Sequence, residues 1–310
     1  MNETDPARLP ARLDVMLTGA EGNQLAASVF GDVANPSNDH PLILMMHGGG
    51  QTRHSWNGAA RQLAARGNIA ITVDARGHGD SDWLESKAYS FEDYRDDLIA
   101  ISRALPAQYG RSNRPLVLVG ASMGGISAMM AQDVFGEGEP PLFSAIILVD
   151  ITPRMQSTGV ERILGFMAQA MRSGFGDINE AADAIAAYLP GRARPKSLDG
   201  LSKNLRQRED GRWYWHWDPA FVDGPRSIMT GSDTRIDVLL AAAKTISAPA
   251  LLVRGGKSEL VSQEDADEFL ALVPHAKYVD VSDAGHMVAG DRNDVFAAAV
   301  IDFLEQQGLA

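Results

Sequence analysis

The chain has no cysteine. That excludes thiol nucleophiles, disulfides and cysteine-held metal sites, and it is compatible with a reducing compartment. Positive charge is also short: 28 Lys and Arg stand against 40 Asp and Glu, a formal net charge of −12 over 310 residues. A nucleic-acid partner is therefore not expected, because phosphate contacts need a basic face. Long apolar runs are missing too. Runs such as Leu42–Met46 and Ala145–Val149 are of strand length, and none in the chain approaches the ~20 residues a membrane helix needs. The first residues, Met1-Asn2-Glu3-Thr4-Asp5-Pro6, lack the basic start and apolar stretch of a secretory leader. No two histidines stand at the i, i+4 spacing of a helical zinc site. The expectation is a soluble, cytoplasmic protein acting on a small molecule, with no metal, no cofactor and no membrane partner.

What is present is a core-forming composition, 45% hydrophobic, arranged in a rhythm. Arg12–Thr18 and Gln24–Phe30 read as paired strands around Gly19-Ala20-Glu21-Gly22-Asn23. Leu42–Met46, Ile69–Val73, residues 116–119 and Ala145–Val149 are short, largely apolar runs, as strands buried on both faces should be. Helical stretches separate them, one opened by the capping box Ser90-Phe91-Glu92-Asp93. The rhythm breaks over residues 151–245. There the pattern predicts helices at 160–172 and 180–188, and shows the aromatic cluster Trp213-Tyr214-Trp215-His216-Trp217. It also shows a basic stretch with Arg192, Arg194, Lys196, Lys203, Arg206 and Arg208, read as a solvated face. Strand and helix then alternate again, with strands at 250–253 and 278–281. Residues 1–150 and 246–310 thus form one α/β core with a mostly parallel sheet, and 151–245 a helical insertion.

Ser122 is the sharpest signal. It lies in Gly120-Ala121-Ser122-Met123-Gly124, between an apolar strand and a helix. That is the nucleophile-elbow pattern, which lifts a serine hydroxyl clear of the sheet edge. Parallel sheets gather chemistry at the carboxyl ends of their strands. His47, Asp74, Asp150 and residues 255–262 all fall just after predicted strands, and His286 follows the last one. A serine hydroxyl needs a general base, and the base needs a carboxylate. His286 in Asp283-Ala284-Gly285-His286-Met287 is the expected base. Glu259 is the favoured acid, Asp150 the alternative and Asp283 a third. Oxyanion donors are expected at the amides of Met123 and of Gly49, with Gly50 as the other choice in Gly48-Gly49-Gly50. Trp213, Trp215, Trp217 and Met155 are candidate substrate-binding residues, and the tryptophans read equally well as a core of the insertion.

Four motifs in this order, His47-Gly48-Gly49, the Asp74-Ala75-Arg76-Gly77-His78-Gly79-Asp80-Ser81 loop, the Ser122 elbow and Gly285-His286, resemble the α/β-hydrolase superfamily. The resemblance runs from about Leu13 to Leu304. It implies an eight-stranded, mostly parallel sheet with helices on both faces and a helical cap inserted after strand six, which 151–245 fits. Within the superfamily the chain is similar to capped, single-domain bacterial hydrolases of the esterase, lactonase and cofactor-free perhydrolase type. The family's usual acid after strand seven is Asp, and here Glu259 holds the comparable place. Ser122 departs from the dehalogenase and epoxide hydrolase branches, which attack with Asp. The function implied is a serine hydrolase cleaving a carboxylic ester or lactone through an acyl-enzyme. Alternatives are C–C hydrolysis or perhydrolysis on the same triad, or a ligand-binding protein without turnover. The Asp74–Ser81 loop is expected to be structural.

Overall fold

The computed structural model describes residues 12–34, 40–109, 114–134, 141–189, 198, 200–231, 235–291 and 293–309. In chain order the first half comprises β1 (Arg12–Thr18), β2 (Gln24–Phe30), β3 (Leu42–Met46), α1 (Asn57–Ala64), β4 (Ile69–Val73) and α2 (Phe91–Gln108). It continues with β5 (Leu116–Ala121), α3 (Met123–Asp133) and β6 (Ala145–Val149). There follow α4 (Ser157–Ala168), α5 (Ile178–Tyr188), β7 (Leu205–Gln207), β8 (Trp213–Trp215), α6 (Ala220–Asp223) and α7 (Arg235–Lys244). The chain closes with β9 (Ala250–Gly255), α8 (Gln263–Leu272), β10 (Lys277–Val281), α9 (Val288–Asp291) and α10 (Asn293–Gln306).

Eight strands form one sheet in the order β1-β2-β4-β3-β5-β6-β9-β10. β2 runs antiparallel to both of its neighbours, and from β4 to β10 every pairing is parallel. Strands β3, β4 and β6 are buried at every position, so both sheet faces must be covered. The period of two divides the side chains. Leu42, Leu44 and Met46 enter the core under α2, α3 and the insertion, while Ile43 and Met45 enter the one under α1 and α10. The capping box at Ser90 is formed: the Asp93 carboxylate accepts the Ser90 amide at 2.9 Å. Among the described residues no helix is long and apolar enough to cross a membrane.

Two expectations for the insertion need correction. It is not wholly helical, since β7 and β8 pair as an antiparallel ribbon. Three consecutive aromatics, Trp213-Tyr214-Trp215, suit a pleated surface better than a helix. Nor does it extend to residue 245. Helix α7 packs on α3 and buries Leu239, Ala242 and Ala243 in the main core. α7 therefore belongs to the layer that covers the sheet. Of the basic stretch, Arg192, Arg194 and Lys196 lie outside the described residues. Arg208 lies over the Tyr214 ring at 4.0 Å, a cation–π contact. Lys203 and Arg206 edge a polar cavity of about 270 Å³ with Arg53, Asp80 and His216.

Candidate active site

The sheet order sets the site. β5, β6, β9 and β10 are neighbours, so the turns after their carboxyl ends lie in a row. Ser122 follows β5 with φ 46° and ψ −114°, a conformation that costs a non-glycine residue of order 1–3 kcal/mol. The surroundings enforce it. A Cβ on Gly124 would sit 2.5 Å from the Met46 carbonyl oxygen, and one on Gly120 2.7 Å from the Gly124 backbone. Only glycine on each side lets the turn approach β3 and close on itself. The Ser122 amide donates to Val149 O at 3.3 Å, which ties the elbow to β6.

Asp150 is the next residue after Val149. It is fully buried and holds φ 50°, a left-handed conformation Asp tolerates better than most residues. Its carboxylate is fully engaged. Oδ1 accepts the Gly255 amide at 2.9 Å, and Oδ2 accepts the Ser258 hydroxyl at 2.5 Å. The same Oδ2 accepts His286 Nδ1–H at 2.7 Å. Facing a carboxylate, Nδ1 carries the hydrogen, which leaves Nε2 with its lone pair. His286 is brought there by its loop: Lys257 N donates to Ala284 O at 2.9 Å, and a Cβ on Gly255 would meet Gly285 O at 2.2 Å. Strand β9 and the His286 loop thus meet through bare backbone.

Glu259, the acid favoured from sequence, is not in this cluster. Its side chain is 60% exposed and pairs with Arg162 on α4. The physical reason is direction. After the Ser258 turn the chain passes beneath α4, where Gly159 makes room for the Glu259 carbonyl, and the side chain leaves toward solvent. Asp283 is likewise exposed, with Lys257 Nζ at 3.4 Å. The carboxylate that meets His286 is that of Asp150.

The Gly48-Gly49-Gly50 loop comes from the end of β3. A Cβ on Gly48 would lie 3.3 Å from Ser122 Cβ, so the loop flanks the elbow. Among the described residues the amides of Gly49 and Met123 meet no protein acceptor. The Gly50 amide donates to His78 Nε2 at 3.1 Å, which corrects the idea that it serves as the second free donor. Above the loop stand Phe221, Met167 and Trp217: Phe221 is the nearest neighbour of Gly49, and Met167 and Trp217 are the nearest of Gly50.

The aromatic candidates divide. Trp217 is 2% exposed, beside Gly50 and against Phe221 with ring centroids 5.9 Å apart. Trp215 turns into the insertion, donating Nε1–H to Gln169 O at 3.0 Å and packing on Phe166 and Phe175. Trp213 is half-buried and bridges to Phe175, and Met155 packs at the edge of the main core. Sequence reasoning missed Ser258 and Phe221. Ser258 carried one signal, its place in a strand-end turn; Phe221 carried none, because insertion geometry placed it.

The Asp74–Ser81 loop is held as a structural loop would be. Asp74 takes the Arg53 side chain and the Asp80 amide, at 3.0 Å for the latter. Arg76 grips Asp97 through two bonds of 2.6 Å.

A model of the alpha/beta hydrolase family matches residues 43–299. Esterase Rv0045c of Mycobacterium tuberculosis is 29% identical over 264 residues, covering 81% of this chain and 78% of the relative. An sn-1-specific diacylglycerol lipase, ABHD11 of Mus musculus, is 29% identical over 275 residues, covering 85% and 81%. A solved structure of E-2-(acetamidomethylene)succinate hydrolase superposes with a TM-score of 0.77 at 22% identity, over 95% of this chain and 100% of that one. The last likeness speaks to the fold.

Proposed function

The chain belongs to the alpha/beta hydrolase family, and from that premise we propose that Ser122, His286 and Asp150 form the catalytic triad of a serine hydrolase acting on esters. The relatives' names, an esterase and a diacylglycerol lipase, support the bond type. The observation that carries the residue assignment is the 2.7 Å bond between His286 Nδ1 and Asp150 Oδ2, one strand from Ser122.

The chemistry follows from the geometry. His286 Nε2 takes the proton as Ser122 Oγ attacks the ester carbonyl. The carbonyl oxygen becomes an oxyanion and receives the Met123 and Gly49 amides, which meet no acceptor among the described residues. Removing one such donor costs about 3–4 kcal/mol in well-studied enzymes. As the tetrahedral species collapses, His286 returns the proton to the alcohol, which leaves. Water then repeats the sequence on the acyl-enzyme, with His286 again the base, and releases the acid. Asp150 holds the imidazole in one tautomer. Trp217, Phe221 and Met167 line an apolar roof above the Gly48–Gly50 loop, which favours an apolar group next to the scissile carbonyl.

Steady-state hydrolysis of p-nitrophenyl acyl esters tests this. Ser122→Ala is expected to lower kcat by at least ~10³-fold with KM little changed. Turnover in Ser122→Ala equal to wild type would overturn the assignment.

A further inference from the structure

Two buried histidines take no chemical step in this scheme. His47 and His78 are wholly shielded from solvent, with ring centroids 5.2 Å apart. Each ring is tied at both nitrogens. His47 Nδ1–H donates to Gly48 O at 2.8 Å, and its Nε2 accepts the Ala75 amide at 3.0 Å. His78 Nδ1–H donates to Arg76 O at 3.0 Å, and its Nε2 accepts the Gly50 amide at 3.1 Å. One hydrogen per ring satisfies all four contacts, so both rings are neutral with the hydrogen on Nδ1. Burial, with His47 close by, pushes the His78 pKa down to about 3.

The two rings hold the two ends of the triple-glycine loop. His47 and the Gln51 amide hold the Gly48 carbonyl; His78 holds the Gly50 amide. In a trans peptide the carbonyl and the amide point opposite ways. Fixing Gly48 O therefore fixes the direction of the Gly49 N–H beyond it. Three glycines left untied would spread over many backbone states, and an oxyanion donor works only when its direction is set beforehand. His78 is itself immobilised. Its ring packs edge-on to Phe221 at 4.6 Å, and its backbone bridges to Trp217.

Resting on the oxyanion reading above, we infer that His78 is a positioning residue: its ring takes the Gly50 amide out of play and, with His47, fixes Gly49 as the loop's single donor to the reacting carbonyl. The role is separate from the triad, because His78 acts through the loop and passes no proton.

The test compares His78→Phe, which has no acceptor, with His78→Gln, whose Oε1 can take the Gly50 amide. Ester kinetics and affinity for an aryl trifluoromethyl ketone, which forms an oxyanion on the nucleophile, are measured on folded protein. In His78→Phe, kcat should fall about 10- to 100-fold with KM within about twofold, and ketone affinity should fall by the same factor. His78→Gln should recover most of both. If His78→Phe does not fold, His78→Asn is read in its place, since it keeps a donor toward Arg76 but has no acceptor at the Nε2 position. Full activity in His78→Phe, or a His78→Gln no better than His78→Phe, overturns the role of His78. Wild-type turnover that survives Ser122→Ala would instead overturn the reading beneath it.

Discussion

His286 and Asp150 are 136 residues apart in sequence and meet through a 2.7 Å bond from Nδ1 to Oδ2. Asp150 brings its carboxylate from the end of β6, and the turn after β9 supplies that carboxylate's supports, the Gly255 amide and the Ser258 hydroxyl. Burial makes the pairing consequential, since a fully shielded carboxylate needs every one of these partners.

Replacing the acid should separate the two carboxylates sharply. Asp150→Asn keeps the shape but offers His286 the wrong partner, and kcat should drop by about 10³- to 10⁴-fold. Glu259→Gln removes an exposed ion pair with Arg162 and should leave kcat within about twofold. Steady-state ester hydrolysis by both variants gives the comparison. A large loss in Glu259→Gln with little in Asp150→Asn would reverse the assignment.

Ser258 shares Oδ2 of Asp150 with His286. A hydrogen bond to a charged acceptor is worth about 1.5–3 kcal/mol. Ser258→Ala should accordingly slow kcat by roughly 10-fold or more without raising KM, and Ser258→Thr should retain most of the rate. Equal kinetics for Ser258→Ala and wild type would show that the Gly255 amide suffices to hold the acid.

The parallel sheet, the sharp turn at Ser122 and the strand-end loop that carries His286 were legible in the sequence because each is a local pattern: apolar strand, G-x-S-x-G, Gly-His. The carboxylate that meets His286 was not. Glu259 and Asp150 both follow a strand, and their order in the chain does not say which one turns toward His286. That choice depends on the positive φ of Asp150 and on Gly159 drawing the Glu259 backbone beneath α4. The short ribbon β7–β8 and the true extent of the insertion were hidden for a similar reason. The apolar face of α7 is read as helix in either place, and only its packing on α3 assigns it to the core. Gly50 looked free until the fold brought His78 to it.

Glycines offer a contrast in stability. Gly124→Ala would push a methyl against the Met46 carbonyl at 2.5 Å and should cost roughly 1–3 kcal/mol or more. Gly165 is exposed within α4 with nothing within 4 Å of a Cβ, so Gly165→Ala should stabilise by about 0.5–1 kcal/mol. Urea unfolding of both reads the difference. A neutral Gly124→Ala would mean the elbow has room the geometry denies.

Acid should weaken the fold through the paired histidines. Burial places the folded pKa of His78 at about 3, against a usual value of 6.5, and lowers that of His47 as well. The unfolded chain therefore takes up the proton first. Stability contributed by the neutral ring is intact above about pH 6.5, falls as pH drops, and levels off near 3. One such histidine contributes a slope of about 1.4 kcal/mol per pH unit within that window. Unfolding free energies between pH 6 and 4 should fall less steeply in His78→Gln than in wild type by about that amount. Parallel slopes would contradict the neutral, buried state of the ring.

A Ser122 nucleophile activated by His286 and Asp150 should react with a fluorophosphonate, and intact-mass analysis reads that reaction. Wild type should gain one covalent adduct, located at Ser122 by peptide mapping. Asp150→Asn should gain it slowly and Ser122→Ala not at all. Labelling of Ser122→Ala at the wild-type rate would show that the nucleophile is another residue.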